Sequence, residues 1–311
     1  MNTDMSGDRV TTFLERFEIF RPMYFRQVRT TYDNSPGLFS ELAEPMLDWA
    51  QSSLGTDYID VLIEGYCEFV TDVNRCQLRY EANGEYEAKS YAEVFQETYD
   101  SSDFMSLYHW GVYTTTFSWA HHLELYAFFR DHFLSRLRHQ GSAGHLVDLG
   151  CGSGIWHLLT LKSLDSWRTT AIDISKTSVA LSRKMCQTMR PPANVEHIVD
   201  DALSYQPCDE AQAALSCFLL EHLEDPLALL QNLARCVGPR RFAFVTCALT
   251  AAETDHIYEF RRESEVLRLA EQAGFRILAM LSTAPAGIDD SNRFLPRSLG
   301  MVLQKRGGEI W

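Results

Sequence analysis

The stretch "HLVDLGCGSGIWHLLTLKSL", which begins at His145, constrains the chain more than any other. An apolar run ends at Leu149, three glycines follow at Gly150, Gly152 and Gly154, and a helix-forming segment opens at Ile155. Glycines are needed where a turn is tight and where backbone must approach a ligand closely. The unpaired N–H groups at the start of the helix then face that ligand. Strand, glycine turn and helix in this order predict a βαβ unit with a ligand at the carboxyl end of the strand.

The rest of the C-terminal half repeats the alternation. "TTAIDI", "VEHIV", "AALSCF" and "RRFAFVTCAL" read as strands, and "KTSVALSRKMCQTM" as a helix. "EFRRESEVLRLAEQAGF" reads as an amphipathic helix ending at Gly274, and "RILAMLST" and "SLGMVLQKR" as a closing strand pair. Together they predict the α/β class, with a mostly parallel seven-stranded sheet that ends in an antiparallel pair. Asp173 ends the second strand, where an acid can accept both ribose hydroxyls of an adenosine. The glycine spacing is GxGxG, not the GxGxxG of dinucleotide sites. A plain strand–helix turn is the structural alternative.

"LVDLGCGSG" resembles the first motif of the class I S-adenosylmethionine (SAM)-dependent methyltransferases. "AIDIS" resembles that family's second motif and "VDDAL" its third. "CFLLEHLEDP" is similar to its fourth strand and exit, and "LRLAEQAGF" to the helix before its terminal strand pair. The resemblance covers roughly residues 141–306. It implies a Rossmann-like fold, SAM as cofactor, and a set of cofactor contacts. Asp148 and Gly150 would lie beneath the methionine part, with Cys151, Gly152 and Gly154 completing the loop. Asp173 would bind the ribose and Ile174 the adenine, with Asp201 and the Ala202 backbone at the adenine edge. Asp200 reads as a solvated neighbour. Cys217 and Phe218 would border the reacting centre. His222 is the candidate base, and a packing or orienting role is open for it and for Glu221. His256 and Glu259 follow the fifth strand and read as a solvated loop.

Residues 1–140 have a different texture. "SPGLFSELAEPMLDWAQSSLG" and "DYIDVLIEGYCEFVTDVNRC" carry apolar residues at helical spacing, and Ser90 is a plausible N-cap for "SYAEVFQETYDSSD". "HHLELYAFFRDHFLSRLRHQG" reads as one helix closed by Gly141 and Gly144. This part holds 22 acidic and 11 basic residues, against 20 and 17 in residues 141–311. We read a helical cap over 1–140 and a SAM-binding domain over 141–311. A net charge of −14 excludes nucleic acid or an anionic membrane as the main partner, since both need a basic footprint. No apolar run reaches the roughly 20 residues that span a bilayer. Eight cysteines without a CxxC pair, and no signal pattern in "MNTDMSGDRV", predict reduced thiols and a cytoplasmic protein. The sequence is compatible with an oligomer.

Just before the boundary, "YHWGVYTTTFSWAHH" concentrates aromatics and histidines over Tyr108–His122. His121 and His122 point about 100° apart on a helix and are poor joint ligands, so no metal is expected there. A sulfonium is a cation, and aromatic faces attract cations. Tyr108, Trp110 and Tyr113 are candidates to line the site, Tyr108 and Tyr113 as catalytic side chains. His109 and His122 join Trp110 on the substrate side. Trp119, Phe129 and Phe133 are expected to pack the cap onto the sheet. A wholly structural reading, in which every aromatic is core, stands beside this one.

The leading functional expectation is methyl transfer from SAM to a small molecule, with secondary metabolism as the setting that a capped core suggests. The alternative keeps the fold but attacks another sulfonium carbon. SAM's own α-amino group would close on its γ-carbon, giving azetidine-2-carboxylate and methylthioadenosine. A non-enzymatic binding protein of the same fold is the third reading.

Overall fold

The computed structural model describes residues 8–87, 90–94, 102–285 and 292–307. Seven strands form one sheet: β1 (His145–Leu149), β2 (Arg168–Asp173), β3 (Val195–Val199), β4 (Ala211–Cys217), β5 (Val237–Leu249), β6 (Phe275–Thr283) and β7 (Arg297–Lys305). Their spatial order is β3-β2-β1-β4-β5-β7-β6, with β7 antiparallel to both of its neighbours and the other pairs parallel. The order reverses between β1 and β4, which is where an open α/β sheet offers a crevice at its carboxyl edge.

Four helices belong to the sheet: α9 (Ile155–Ser163), α10 (Lys176–Cys186), α11 (Pro226–Cys236) and α12 (Glu263–Gln272). The sequence reading above does not include α11. Its signal is nevertheless present, since Asp225 accepts from the Ala228 amide at 3.1 Å and Pro226 opens the first turn. The helix α12 starts later than "EFRRES" predicts. Arg262 is extended, and the Phe260 carbonyl accepts from Thr250 at 2.9 Å, which ties that stretch to the end of β5.

The N-terminal region is helical, as expected: α1 (Arg9–Phe20), α2 (Pro22–Asn34), α3 (Pro36–Leu54), α4 (Tyr58–Asn83), α5 (Tyr91–Val94), α6 (Ser102–Ser118), α7 (Ala120–Phe128) and α8 (Ser135–Gln140). Ser90 accepts from the Glu93 amide at 3.3 Å at the start of α5, and residues 95–101 of "SYAEVFQETYDSSD" lie outside the described residues. The segment read as one helix is α7 and α8 joined by a π-helical turn over Phe129–Leu134. Trp119 is extended (φ −96°, ψ 130°) and separates α6 from α7. No described helix is long and apolar enough to cross a membrane.

Two glycines let α4 and α6 touch backbone to backbone. A Cβ on Gly111 would meet the Gly65 carbonyl oxygen at 2.7 Å and would run into Phe69, and one on Gly65 would meet the Gly111 nitrogen at 2.9 Å. Thr114 adds a hydroxyl bond to the Leu62 carbonyl at 3.3 Å. A single hydrophobic core runs from these helices into one face of the sheet, from Phe13 and Phe17 through Phe129 and Phe133 to Phe244 on β5. The Phe129 and Phe133 rings lie 4.9 and 5.6 Å from that of Phe244. The opposite face packs on α11 and α12 around Leu229, Leu233 and Val266.

Candidate active site

A cavity of about 970 Å³ opens over the carboxyl edge of the sheet, between the strand ends and the helical region. Its sheet side starts with the glycine loop. Gly150, Gly152 and Gly154 have φ of 75°, 53° and 90°, a region that side chains disfavour. Packing forbids side chains there too. A Cβ on Gly150 would lie 2.5 Å from Leu219, and one on Gly154 would lie 2.5 Å from Ser182 and 2.8 Å from the His157 ring. Asp148 is buried beneath the loop, and its Oδ2 is 2.8 Å from His157 Nδ1. Burial alone would lower the His157 pKa, but the Asp148 carboxylate and Cys186 outweigh it and raise it to about 9.

Asp173 ends β2 beside the loop. Its oxygens accept from the Gly152 and Ser175 amides, each at 2.8 Å. Burial pushes its carboxyl up to about 6 against those two bonds. A carboxylate has about four acceptor positions, so two remain for a pair of ribose hydroxyls. Asp148, Gly150, Cys151, Gly152 and Asp173 line the cavity, whereas Gly154, Ile174, Asp201 and Ala202 do not. Asp201 instead accepts from the Leu203 amide at 2.9 Å, and the Ala202 carbonyl accepts from Asn232 at 2.7 Å.

The exits of β4 and β5 form the next part of the wall. Phe218 has φ 53°, unusual outside glycine, and its amide donates to the Thr246 carbonyl and hydroxyl, both at 3.0 Å. Cys217, Phe218, Glu221 and His222 line the cavity with Glu253 and His256. Sequence reasoning set His256 aside as solvated loop, but it is buried, and its ring lies 4.8 Å from that of His222. The reason is α4, whose C-terminal half holds the loop after β5. Thr254 donates to Asp72 at 2.6 Å, Gln77 accepts from the Ala252 amide at 3.1 Å, and Tyr86 donates to the Ala251 carbonyl at 2.6 Å. Burial raises Glu221 to about 7. For His222 burial acts downward, and the Asp255 carboxylate overcomes it, giving about 10.

The helical side is formed by α2, α4, α6 and the start of α7, and here one expectation is corrected. Tyr108, His109, Val112, Thr115, Thr116 and Trp119 line the cavity. Trp110 and Tyr113 do not. Both are buried on the opposite face, and the Tyr113 hydroxyl donates to the Met46 carbonyl on α3 at 2.6 Å. The division of this stretch follows the helical face, not the chain order: residues 108, 112 and 115 share a side, 110 and 113 point away from it, and Trp119 reaches the cavity from the break after α6. Trp119 packs against the core that joins the helices to the sheet, and it also lines the cavity and stacks on His121 at 5.2 Å.

His109 lies above the glycine loop. Its Nε2 is 2.8 Å from the Ser178 hydroxyl on α10, and a Cβ on Gly152 would come within 3.9 Å of its ring. Burial lowers His109 and His122 to about 4, so both are neutral at physiological pH. His122 packs its ring 5.4 Å from that of Phe218, which joins the two sides of the cavity. Ser178 and Trp156 also line the cavity, and no motif in the sequence marks either of them.

Comparison with known proteins places this geometry. The family model described as "Methyltransferase domain" matches residues 146–240. No curated protein matches the sequence. Among solved structures, the chain is similar to magnesium protoporphyrin IX methyltransferase from Synechocystis PCC 6803 with bound SAM. The identity is 16% and the TM-score 0.51, over 71% of this chain and all of that one (100%). It is also similar to phosphoethanolamine N-methyltransferase 2 of Haemonchus contortus, in complex with phosphomonomethylethanolamine and S-adenosylhomocysteine. There the identity is 13% and the TM-score 0.52, over 71% of this chain and 61% of that one. At such identities the likeness is one of fold. Motif, strand order and family match agree: the chain carries a class I SAM-dependent methyltransferase domain, with a helical region before it.

Proposed function

We propose that this protein binds SAM on the sheet side of the cavity and transfers its methyl group to a small molecule held beneath the helices. The carrying observation is that one cavity is lined both by the glycine loop with Asp173 and, on the helical side, by Phe69, Tyr108, His109 and Trp119. Its volume of about 970 Å³ lies at the upper end of the range for small-molecule sites, about 300–1,000 Å³. That is room for a cofactor and a second small ligand, and not for a polymer. Both structures cited above were determined with SAM or its demethylated product and act on small molecules by name, which supports the same reading here.

When bound, SAM supplies a methyl group on a sulfonium, ready for in-line displacement. The protein's own part is positioning and exclusion of water. Gly150, Cys151 and Gly152 would cradle the methionine part, and Asp173 the ribose. Tyr108, Trp119 and Phe69 would form the apolar wall facing the acceptor, with His109 and His122 as neutral hydrogen-bonding groups. His222 would serve as an orienting group. Ile174, Asp201 and Ala202 are still assigned to the adenine, and that assignment asks the cofactor to reach beyond the cavity.

Incubation with SAM, followed by mass analysis of the adenosine product, tests the reading. S-adenosylhomocysteine, formed only with an added acceptor, is the expected product. Methylthioadenosine formed without acceptor would overturn methyl transfer in favour of cyclisation to azetidine-2-carboxylate. No heat and no thermal shift on SAM addition would remove the cofactor itself.

A further inference from the structure

Glu221, His222 and His256 each bring one ligand-type atom to within 4.8 Å of the others. All three are buried, and all three line the cavity. Their hydrogen bonds are those of metal ligands. His222 turns Nδ1 to Asp255, 3.1 Å from its carbonyl and 3.4 Å from its Oδ2. His256 turns Nδ1 to the Ala251 carbonyl at 2.7 Å. An imidazole whose Nδ1–H is held by a carboxylate or carbonyl presents the lone pair of Nε2, and this outer contact is the usual companion of a metal-bound histidine. Glu221 is held through Oε1 by the Ala248 amide at 3.0 Å. Its buried Oε2 has no hydrogen-bond partner among the described residues. A buried carboxylate oxygen left in that state is costly, and a cation would satisfy it.

We propose that Glu221, His222 and His256 bind a divalent first-row transition-metal ion at the wall of the cavity. Two imidazole nitrogens and one carboxylate oxygen suit Zn²⁺, Fe²⁺, Co²⁺ or Mn²⁺. Mg²⁺ and Ca²⁺ prefer all-oxygen shells. Charge points the same way. Glu253 and Asp255 crowd the cluster, and Glu253 Oε2 is 3.7 Å from His256 Nε2. A dication at this place would face those two carboxylates as well as its three ligands. Three protein ligands leave a coordination position toward the cavity, which an oxygen or nitrogen of the acceptor can take. This last step alone rests on the methyl-transfer reading.

His157, Cys186 and His197 form a rival cluster beneath the glycine loop. Both Nε2 atoms there already face the Ser182 hydroxyl, at 3.3 and 3.0 Å, and none of the three residues lines the cavity. It serves as the control.

The test uses the full chain, stripped by a chelator and titrated by calorimetry with Zn²⁺ alone, and with Co²⁺ read by its visible absorption. One equivalent should bind. Glu221→Gln keeps the bond to the Ala248 amide but loses the charge, and should weaken uptake by about tenfold or more, as should His256→Gln. His197→Gln should leave uptake unchanged. Circular dichroism on each variant confirms the fold. The proposal is overturned if the stripped protein takes up no stoichiometric ion, or if His197→Gln abolishes uptake while Glu221→Gln does not. SAM affinity, measured separately on the stripped protein, reports on the cofactor reading and not on the ion.

Discussion

His109 and His157 flank the same glycine loop and differ in charge, one neutral and one protonated. His109 comes down from the helical side, bonded to the Ser178 hydroxyl, and burial holds it neutral with a pKa of about 4. His157 sits beneath the loop against the Asp148 carboxylate and is held protonated to about 9. Burial disfavours the charge in both, so the partner decides the outcome. The sheet side brings the glycine loop, Asp148 and Asp173 to the cavity, and the helical side brings Tyr108, Trp119, Phe69 and the neutral His109. A cationic sulfonium and a small acceptor ask for these two environments.

The largest effects should come from the glycines that set each side in place. Gly154→Val forces a side chain into φ 90° and into the His157 ring, and Gly111→Val drives α6 away from α4. Each should cost about 3 kcal/mol, read by denaturant unfolding. Only Gly154→Val should also reduce SAM affinity in the folded fraction. Equal losses of affinity in both would mean that the two sides are not separable.

Asp173→Ala comes next. It removes the acceptor for the Gly152 and Ser175 amides and the proposed ribose contact, and should weaken SAM binding by about 10- to 100-fold, equivalent to about 1.5–3 kcal/mol. Trp119→Ala, on the helical side, should leave SAM affinity within a few-fold and lower turnover. If calorimetry shows the reverse ranking, the assignment of cofactor to sheet and acceptor to helices fails.

The pH dependence separates the two histidines themselves. His157 has a folded pKa of about 9, above the ordinary histidine value of 6.5, so the folded protein binds the extra proton between those values. Its contribution to stability is complete below pH 6.5 and is lost as pH rises through 9. His109 has a folded pKa of about 4, below 6.5, so the unfolded chain binds the extra proton. Its contribution is complete above pH 6.5 and is lost as pH falls through 4. Stability curves should show His157→Gln flattening the alkaline window and His109→Gln the acidic one. A His157→Gln curve parallel to wild type between pH 6.5 and 9 would show that Asp148 does not hold the charge.

What was legible in the sequence follows the same division. Strand β1, the glycine loop and Asp173 announce themselves because local chemistry dictates them: positive φ requires glycine, and a strand end next to a helix start makes a ligand edge. The cavity wall from Glu221 to His256 is built by long-range contacts, with α4 holding the loop after β5 through Asp72, Gln77 and Tyr86. No local pattern encodes that, so His256 reads as solvated. In Tyr108–His122 the composition is informative, but the choice of face depends on which side α4 occupies. Gly111 carries that information, and its meaning appears only with Gly65 opposite it.

The smallest effect is the sharpest test of that face assignment. Tyr113 looks like a ligand residue in the sequence, one turn along from Tyr108 and His109, and as such its loss should impair turnover more than folding. In the fold its ring is fully buried, and its hydroxyl donates to the Met46 carbonyl, on the side of α6 away from the cavity. Tyr113→Phe keeps the ring and removes one buried hydrogen bond. It should cost about 1 kcal/mol of stability and leave SAM affinity and turnover unchanged. Tyr108→Ala, on the cavity face, should do the opposite, lowering turnover with a smaller change in stability. A Tyr113→Phe protein with wild-type stability and impaired turnover would turn α6 around and bring Trp110 back into the wall.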